Sequence, residues 1–301
     1  MAGDAFCREV SVDRLCGHIR ALQGVRHPVA APDQLERAAV YLAATLESYG
    51  YLLDEQRFFD QGKLQRNLLA SAPGSDPQTE RIALLAHYDT VAQSPGADDN
   101  ASGVAVLLEA ARLLAGFRFQ KSVQFIAVSL EENRSDDEPD TGTRGSRALA
   151  AHAREQGWQL GAVLVLESVG YAGDHVVQSA PPGVPVPVPD NGNFIAVIGN
   201  ERSPQLVESF LRAIGRLKLD LPCLPLVVPG NGELLPDSRR SDHAPFWDQG
   251  YPAIMVTDTS NFRNPNYHRP TDTLETLNLE FAARVCRATV ETVIELARLL
   301  R

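Results

Sequence analysis

Apolar positions divide the chain into two kinds of segment. Over residues 9–23 and 32–49 they recur at the three- and four-residue spacing of one helix face. The second of these opens with Pro32 and stops at Gly50, the expected asymmetry of a helix start and end. Residues 51–59 and 64–71 read as two strands joined by a turn at Asp60-Gln61-Gly62. RIALLAH (81–87) is a short apolar run consistent with a buried strand, and KSVQFIAVSL (121–130) and GAVLVLES (161–168) read as two more buried strands. Between and after them lie helical patterns at 101–116, closed by Gly116, and at 145–157. A helix near 203–218, a strand near 223–228, a helix near 242–249, the strand YPAIMVT and a final helix over 279–300 complete the series.

Strands that are apolar throughout, alternating with helices, indicate a mostly parallel sheet covered on both faces. The expected class is α/β, a three-layer α/β/α sandwich with a mixed central sheet, forming one domain over residues 1–301. No internal repeat or linker interrupts the chain. PPGVPVPVPDNG (181–192) is too proline-rich for a flexible linker and reads as an extended surface loop.

Composition adjusts this picture only at the margins. At 301 residues, 44% hydrophobic and 22% charged, the chain is ordinary for a globular protein. A net charge of −10 argues against nucleic acid or an anionic membrane surface as partner. Cys7, Cys16, Cys223 and Cys286 are scattered without a CxxC pair, so isolated buried thiols are expected. The first twenty residues lack the pattern of a signal peptide, and no apolar run reaches spanning length; a cytoplasmic location is the expectation.

Open α/β sheets place ligands beyond the carboxyl ends of their strands. Four polar clusters fall at or near those ends here: His87-Tyr88-Asp89, Glu131-Glu132, Glu167, and the NPNYHRPTDT segment holding His268 and Asp272. Asp98-Asp99-Asn100 follows the first of them after a short loop. Taken singly, each has a plain structural explanation, such as a hydrogen-bonded histidine, a solvated acid pair or a helix N-cap. Together they offer only nitrogen and oxygen donors, which suits zinc and, less selectively, manganese or cobalt.

The set HYD (87–89), GADDNASG (96–103), EE (131–132), GSR (145–147), LES (166–168), SDHAPF (241–246) and NYHRPTDT (266–273) resembles the di-zinc aminopeptidases, a family that also includes glutamate carboxypeptidase and glutaminyl cyclase. The resemblance runs from about Val40 to Leu279. It implies two divalent metal ions, zinc foremost, one held by His87, Asp99 and Glu167 and the other by Asp99, Glu132 and His268. It also implies that Glu131 is the general base, with Asp89 fixing the His87 tautomer. The function implied is release of N-terminal residues from peptides or small amides.

The sequence departs from the family pattern in places. Glu167 stands where many members have Asp, and Ser238 where some carry a tyrosine. The adjacent Arg239-Arg240 offers a guanidinium for a substrate carboxylate or for negative charge in the reaction. Arg240 and Asp242 are therefore candidate substrate contacts, although an ion pair between an arginine and Asp242 is the reading slightly preferred. His243 is expected to pack rather than to bind metal. The acidic loop 133–143 is expected at the cleft rim, either simply solvated or drawing in a cationic substrate group through Asp136, Asp137, Glu138 and Asp140. Rival functions are a one-zinc cyclase of N-terminal glutamine, a carboxypeptidase or amide deacylase, and a binding domain without catalysis. Side-chain preference and oligomeric state are not legible.

Overall fold

The computed structural model describes residues 9–76, 79–135, 137–138 and 141–300. Helices α1 (Val12–Leu22) and α2 (Pro32–Ser48) precede a hairpin of β1 (Leu52–Asp60) and β2 (Lys63–Ala72). Then come β3 (Arg81–His87), α3 (Gly103–Leu114), β4 (Val123–Val128), α4 (Arg144–Glu155) and β5 (Leu160–Glu167). The remainder comprises β6 (Gly173–Val177), β7 (Asn191–Gly192), β8 (Ile195–Asn200), α5 (Pro204–Leu217), β9 (Cys223–Val228), α6 (His243–Asp248), β10 (Ala253–Thr257) and α7 (Leu279–Ala297).

Eight strands form one sheet in the order β1-β2-β4-β3-β5-β10-β8-β9. The β4/β3, β3/β5, β5/β10 and β8/β9 pairs are parallel, whereas β1/β2, β2/β4 and β10/β8 are antiparallel. The mixed, mostly parallel sheet expected from the apolar runs is thus observed. Alternation of side chains between two covered faces explains why those runs are so largely apolar. On β3, Ile82, Leu84 and Ala86 pack in the layer built from α1, α2, α3, α5 and α7. Ala83 and Leu85 point the other way, toward α4 and α6. Both faces are covered, so nearly every position is apolar; Gln124 on β4 is a buried exception, donating to Ser71 Oγ at 3.3 Å.

Three details differ from the sequence reading. Strand β8, antiparallel to β10, and the two-stranded β6/β7 ribbon were not anticipated. The third helix begins at Gly103, after a turn over Ala97–Ser102 in which Asp99 and Asn100 lie outside helical geometry. Of the thiols expected to be buried, Cys286 is, but Cys16 and Cys223 are partly exposed; Cys7 lies outside the described residues. No helix among the described residues is long and apolar enough to cross a membrane.

The four parallel strands β4, β3, β5 and β10 run side by side, so their carboxyl ends emerge at one edge of the sheet. His87 is the last residue of β3, Glu167 the last of β5, and Glu131 follows β4 by three positions.

Candidate metal centre

The side chains that the sequence singles out converge at this edge. His87 Nε2 lies 3.2 Å from Asp99 Oδ1 and 3.4 Å from Glu167 Oε1. His268 Nε2 lies 3.2 Å from Asp99 Oδ2 and 3.2 Å from Glu132 Oε2. Asp99 therefore turns one carboxylate oxygen toward each group. In each trio, His87-Asp99-Glu167 and Asp99-Glu132-His268, the potential donor atoms all lie within 4.8 Å of one another.

These groups fit divalent cations on their chemistry as well as their spacing. Each trio supplies one imidazole and two carboxylates, a nitrogen and oxygen set that suits zinc. Asp99 Oδ1, Glu132 Oε1, His87 Nδ1 and His268 Nε2 are buried and make no well-directed hydrogen bond. Buried polar atoms ordinarily find a partner. Of these, Asp99 Oδ1 faces His87 Nε2, and His268 Nε2 faces Asp99 Oδ2 and Glu132 Oε2; donors set close together without satisfying one another suit a coordination shell.

Local structure places each donor. Leu130, at φ 58°, turns the chain after β4, and Asp89 Oδ1 and Oδ2 accept the Glu131 and Glu132 amides at 3.0 and 3.1 Å. Asp89 Oδ1 also faces His87 Nδ1 at 3.5 Å, longer than a good hydrogen bond. Its clearer task is to hold the two-glutamate turn. Ser241 Oγ donates to Glu167 Oε2 at 2.7 Å, fixing the carboxylate so that Oε1 faces His87. The His268 ring stacks on Tyr267, with centroids 3.8 Å apart.

The turn bearing Asp99 is fastened from three sides. The Asp272 carboxylate accepts the amides of Asp98 and Asp99 at 2.9 and 3.2 Å. Asn100 Oδ1 accepts the Gly103 amide at the start of α3, and its Nδ2 donates to the Leu166 carbonyl. Gly96 enters the turn at φ 61°; a Cβ there would come within 2.3 Å of Thr90 and 2.4 Å of the Asp99 carbonyl. From below, the buried Arg26 guanidinium donates to the carbonyls of Leu22, Gly24, Tyr88, Pro95 and Gly96. Burial draws the Arg26 pKa down to about 10, so it remains a cation beneath the acids. Sequence reading did not single out Arg26, because a lone arginine between helices carries no motif.

Burial and crowding set the electrostatics. Burial alone would lower the His268 pKa, but Glu132 and Asp99 outweigh it and push it up to about 11. His87 is likewise raised well above its ordinary value, against its own burial, by Glu167, Asp89 and Asp99. Burial also pushes Glu131 well above the usual carboxylate range, and the charges of Glu167, Asp242 and Glu132 add to this. Only 9% exposed, Glu131 makes no ion pair among the described residues.

Two expectations are corrected. Among the described residues no arginine pairs with Asp242: Arg239 holds Asp248 at 2.9 Å, and Arg240 leans on Asp237 and Asn261 at 3.4 and 3.0 Å. Nor is Asp242 placed to touch substrate, since it is fully buried and lines neither cavity at the centre. Burial raises its carboxyl to about 7. Arg240 does line both cavities. His243 packs as expected, bonded to the Ser238 carbonyl at 2.7 Å and set edge-on to Trp247. Asp137 and Glu138 of the acidic loop are exposed, while Asp136 and Asp140 lie outside the described residues.

Comparison with known proteins agrees with the geometry. Residues 67–293 match peptidase family M28. The uncharacterized protein YfbL of Escherichia coli K12 is 34% identical over 299 residues, covering 92% of this chain and 86% of YfbL. Leucine aminopeptidase 1 of Trichophyton equinum is 27% identical, covering 78% of this chain and 59% of that protein. Among solved structures, the LapA aminopeptidase of Legionella pneumophila superposes over 100% of this chain and 75% of its own, with TM-score 0.76 and 23% identity. A glutaminyl cyclase of Porphyromonas gingivalis has TM-score 0.71 and 21% identity, covering 96% of this chain and 99% of its own. These two likenesses show the shared fold. The chain belongs to peptidase family M28 and is a metal-dependent peptidase.

Proposed function

We propose that this metallopeptidase is an aminopeptidase that works with two divalent cations, zinc foremost, in one catalytic domain. The observation carrying this reading is the division of Asp99, whose two oxygens face two separate trios. A shared carboxylate is suited to holding two cations that would otherwise repel each other. His87, Asp99 and Glu167 would hold one, and Asp99, Glu132 and His268 the other. When bound, such ions supply a water of lowered pKa and polarise the substrate carbonyl.

The remaining chemistry belongs to the chain. Glu131 takes the proton from the attacking water and delivers it to the leaving amine. Its pKa is raised by burial and by the neighbouring acids. Cations bound beside it would lower that value, leaving the carboxylate free to act as a base. Asp89, by gripping the Glu131 and Glu132 amides, keeps the base and the neighbouring ligand apart and aimed. Both trios are complete, which favours hydrolysis with two cations over the one-zinc cyclase reading.

Metal analysis of purified protein, alongside a panel of aminoacyl chromogenic amides, tests this reading. Roughly two equivalents of metal per chain are expected, with cleavage lost on chelation and restored by zinc. Cyclisation of glutaminyl peptides without any release of amino acids would overturn it. A second expectation concerns protons. Since His87 and His268 hold raised pKa values in the metal-free protein, cations must displace protons from them. Metal affinity should therefore rise with pH. Titrating zinc into metal-free protein near neutral pH in weak buffer should acidify the solution, and zinc binding without proton release would remove these histidines from the ligand set.

A further inference from the structure

Two cavities meet at Glu131. The smaller, about 90 Å³, opens from Asp99 and Glu167 and is walled by Ile198, Leu226, Leu235, Met255 and Phe262. The larger, about 430 Å³, opens from Glu132 and His268 and is walled by Arg147, Arg239 and Arg240. Glu131, Asp237, Arg240 and Tyr267 line both. A scissile bond at Glu131 thus has an apolar recess on one side and a cationic chamber on the other.

The three guanidiniums of the chamber differ in what already occupies them. Arg239 is committed, donating from Nη2 to both Asp248 oxygens at 2.9 Å and from Nη1 to the Asn231 carbonyl at 2.7 Å. Arg240 donates from Nη1 to Asn261 Oδ1 at 3.0 Å and has Asp237 3.4 Å away, with no carboxylate among the described residues gripped by both its terminal nitrogens. Exposed Arg147 donates from Nε to the Thr143 hydroxyl at 2.9 Å and has no carboxylate partner among the described residues. Asp237 and Asp248 offset two of the three positive charges, and Glu131 and Glu132 belong to the metal centre. Among the described residues, one positive charge is left over. Gly142 and Thr143, at the start of the twelve-residue helix α4, line the same wall and bring the positive end of its dipole.

The geometry points to a site for a free carboxylate on the leaving part of the substrate, held by Arg147 and Arg240. This deepens the aminopeptidase reading and rests on it. The small apolar recess has room for one side chain, that of the N-terminal residue. The larger chamber takes the next residue or two, whose terminal carboxylate reaches the guanidiniums. The preferred substrates are then dipeptides and tripeptides with an apolar first residue, not long chains. An arginine fork holding a carboxylate is among the stronger polar contacts, and it discriminates against an amide, which carries no charge.

The test compares leucyl-alanine, leucyl-alanine amide and leucine p-nitroanilide on the metal-loaded protein. Wild type should cleave the free acid with kcat/KM about tenfold or more above the amide. Arg147→Gln should erase that preference, and Arg147→Lys should restore part of it. Equal rates for acid and amide, with the anilide cleaved, would overturn the carboxylate site and leave the aminopeptidase reading standing. An undiminished preference in Arg147→Gln would overturn the assignment to Arg147. Failure to cleave the anilide or either peptide would bring down both.

Discussion

Glu131→Gln is expected to retain its metal and lose peptide hydrolysis by roughly 10²–10⁴-fold, the usual contribution of a positioned acid–base group. The amide is nearly isosteric, and the Glu131 backbone amide stays bound to Asp89, so the turn should keep its shape. Glu131 belongs to neither donor trio, which is why metal content should survive. What the substitution removes is a carboxylate that is buried, unpaired and surrounded by other acids. The measurement is kcat on an aminoacyl amide together with metal stoichiometry, on protein checked for deamidation. Activity equal to wild type would strip Glu131 of the role of base. Loss of metal along with activity would move it among the ligands instead.

Asp99→Ala should have the other large effect, of a different kind. Because Asp99 alone belongs to both trios, its removal should cost both cations and reduce hydrolysis to background. Glu132→Ala and Glu167→Ala each leave one trio untouched, so those proteins should keep about one equivalent of metal. Loss of a direct ligand should weaken metal binding by more than the 10–100-fold typical of residues that only orient ligands. Asp272→Asn, which disturbs the acceptor of the Asp98 and Asp99 amides, therefore serves as the milder comparison. If Asp99→Ala still bound two equivalents, the shared-carboxylate arrangement would be wrong.

Much of this was legible in the sequence, for identifiable physical reasons. Unbroken apolar runs such as RIALLAH are forced by a sheet buried on both faces, so β3 and its neighbours stood out. Among the candidate donors, His87, Glu132 and Glu167 lie at or shortly after a strand end, where the chain leaves the core; Asp99 and His268 stand in the longer segments beyond β3 and β10 and were picked out by the resemblance of their motifs. Strand β8 was missed although FIAVIGN is also a short apolar run. It sits beside the proline-rich loop, and nothing local says that it pairs antiparallel to β10. Pairings of Arg239 and Arg240 could not be derived either. They depend on where Asp248, Asp237 and Asn261 are delivered by separate turns, and charge alone suggested the sequence neighbour Asp242, which is buried out of reach. Arg26 was invisible because its partners are carbonyls, which no side-chain pattern announces.

His87 and His268, at opposite ends of the inferred coordination cage, stand on β3 and on the loop beyond β10, with most of the molecule threaded between them. Neither trio can close until the central strands have found their order, because each draws on residues delivered by separate segments. A nascent or half-assembled chain would thus display scattered acids and imidazoles with little grip on a cation. Zinc uptake would then certify finished architecture, and hydrolytic power would be withheld from every unfinished form.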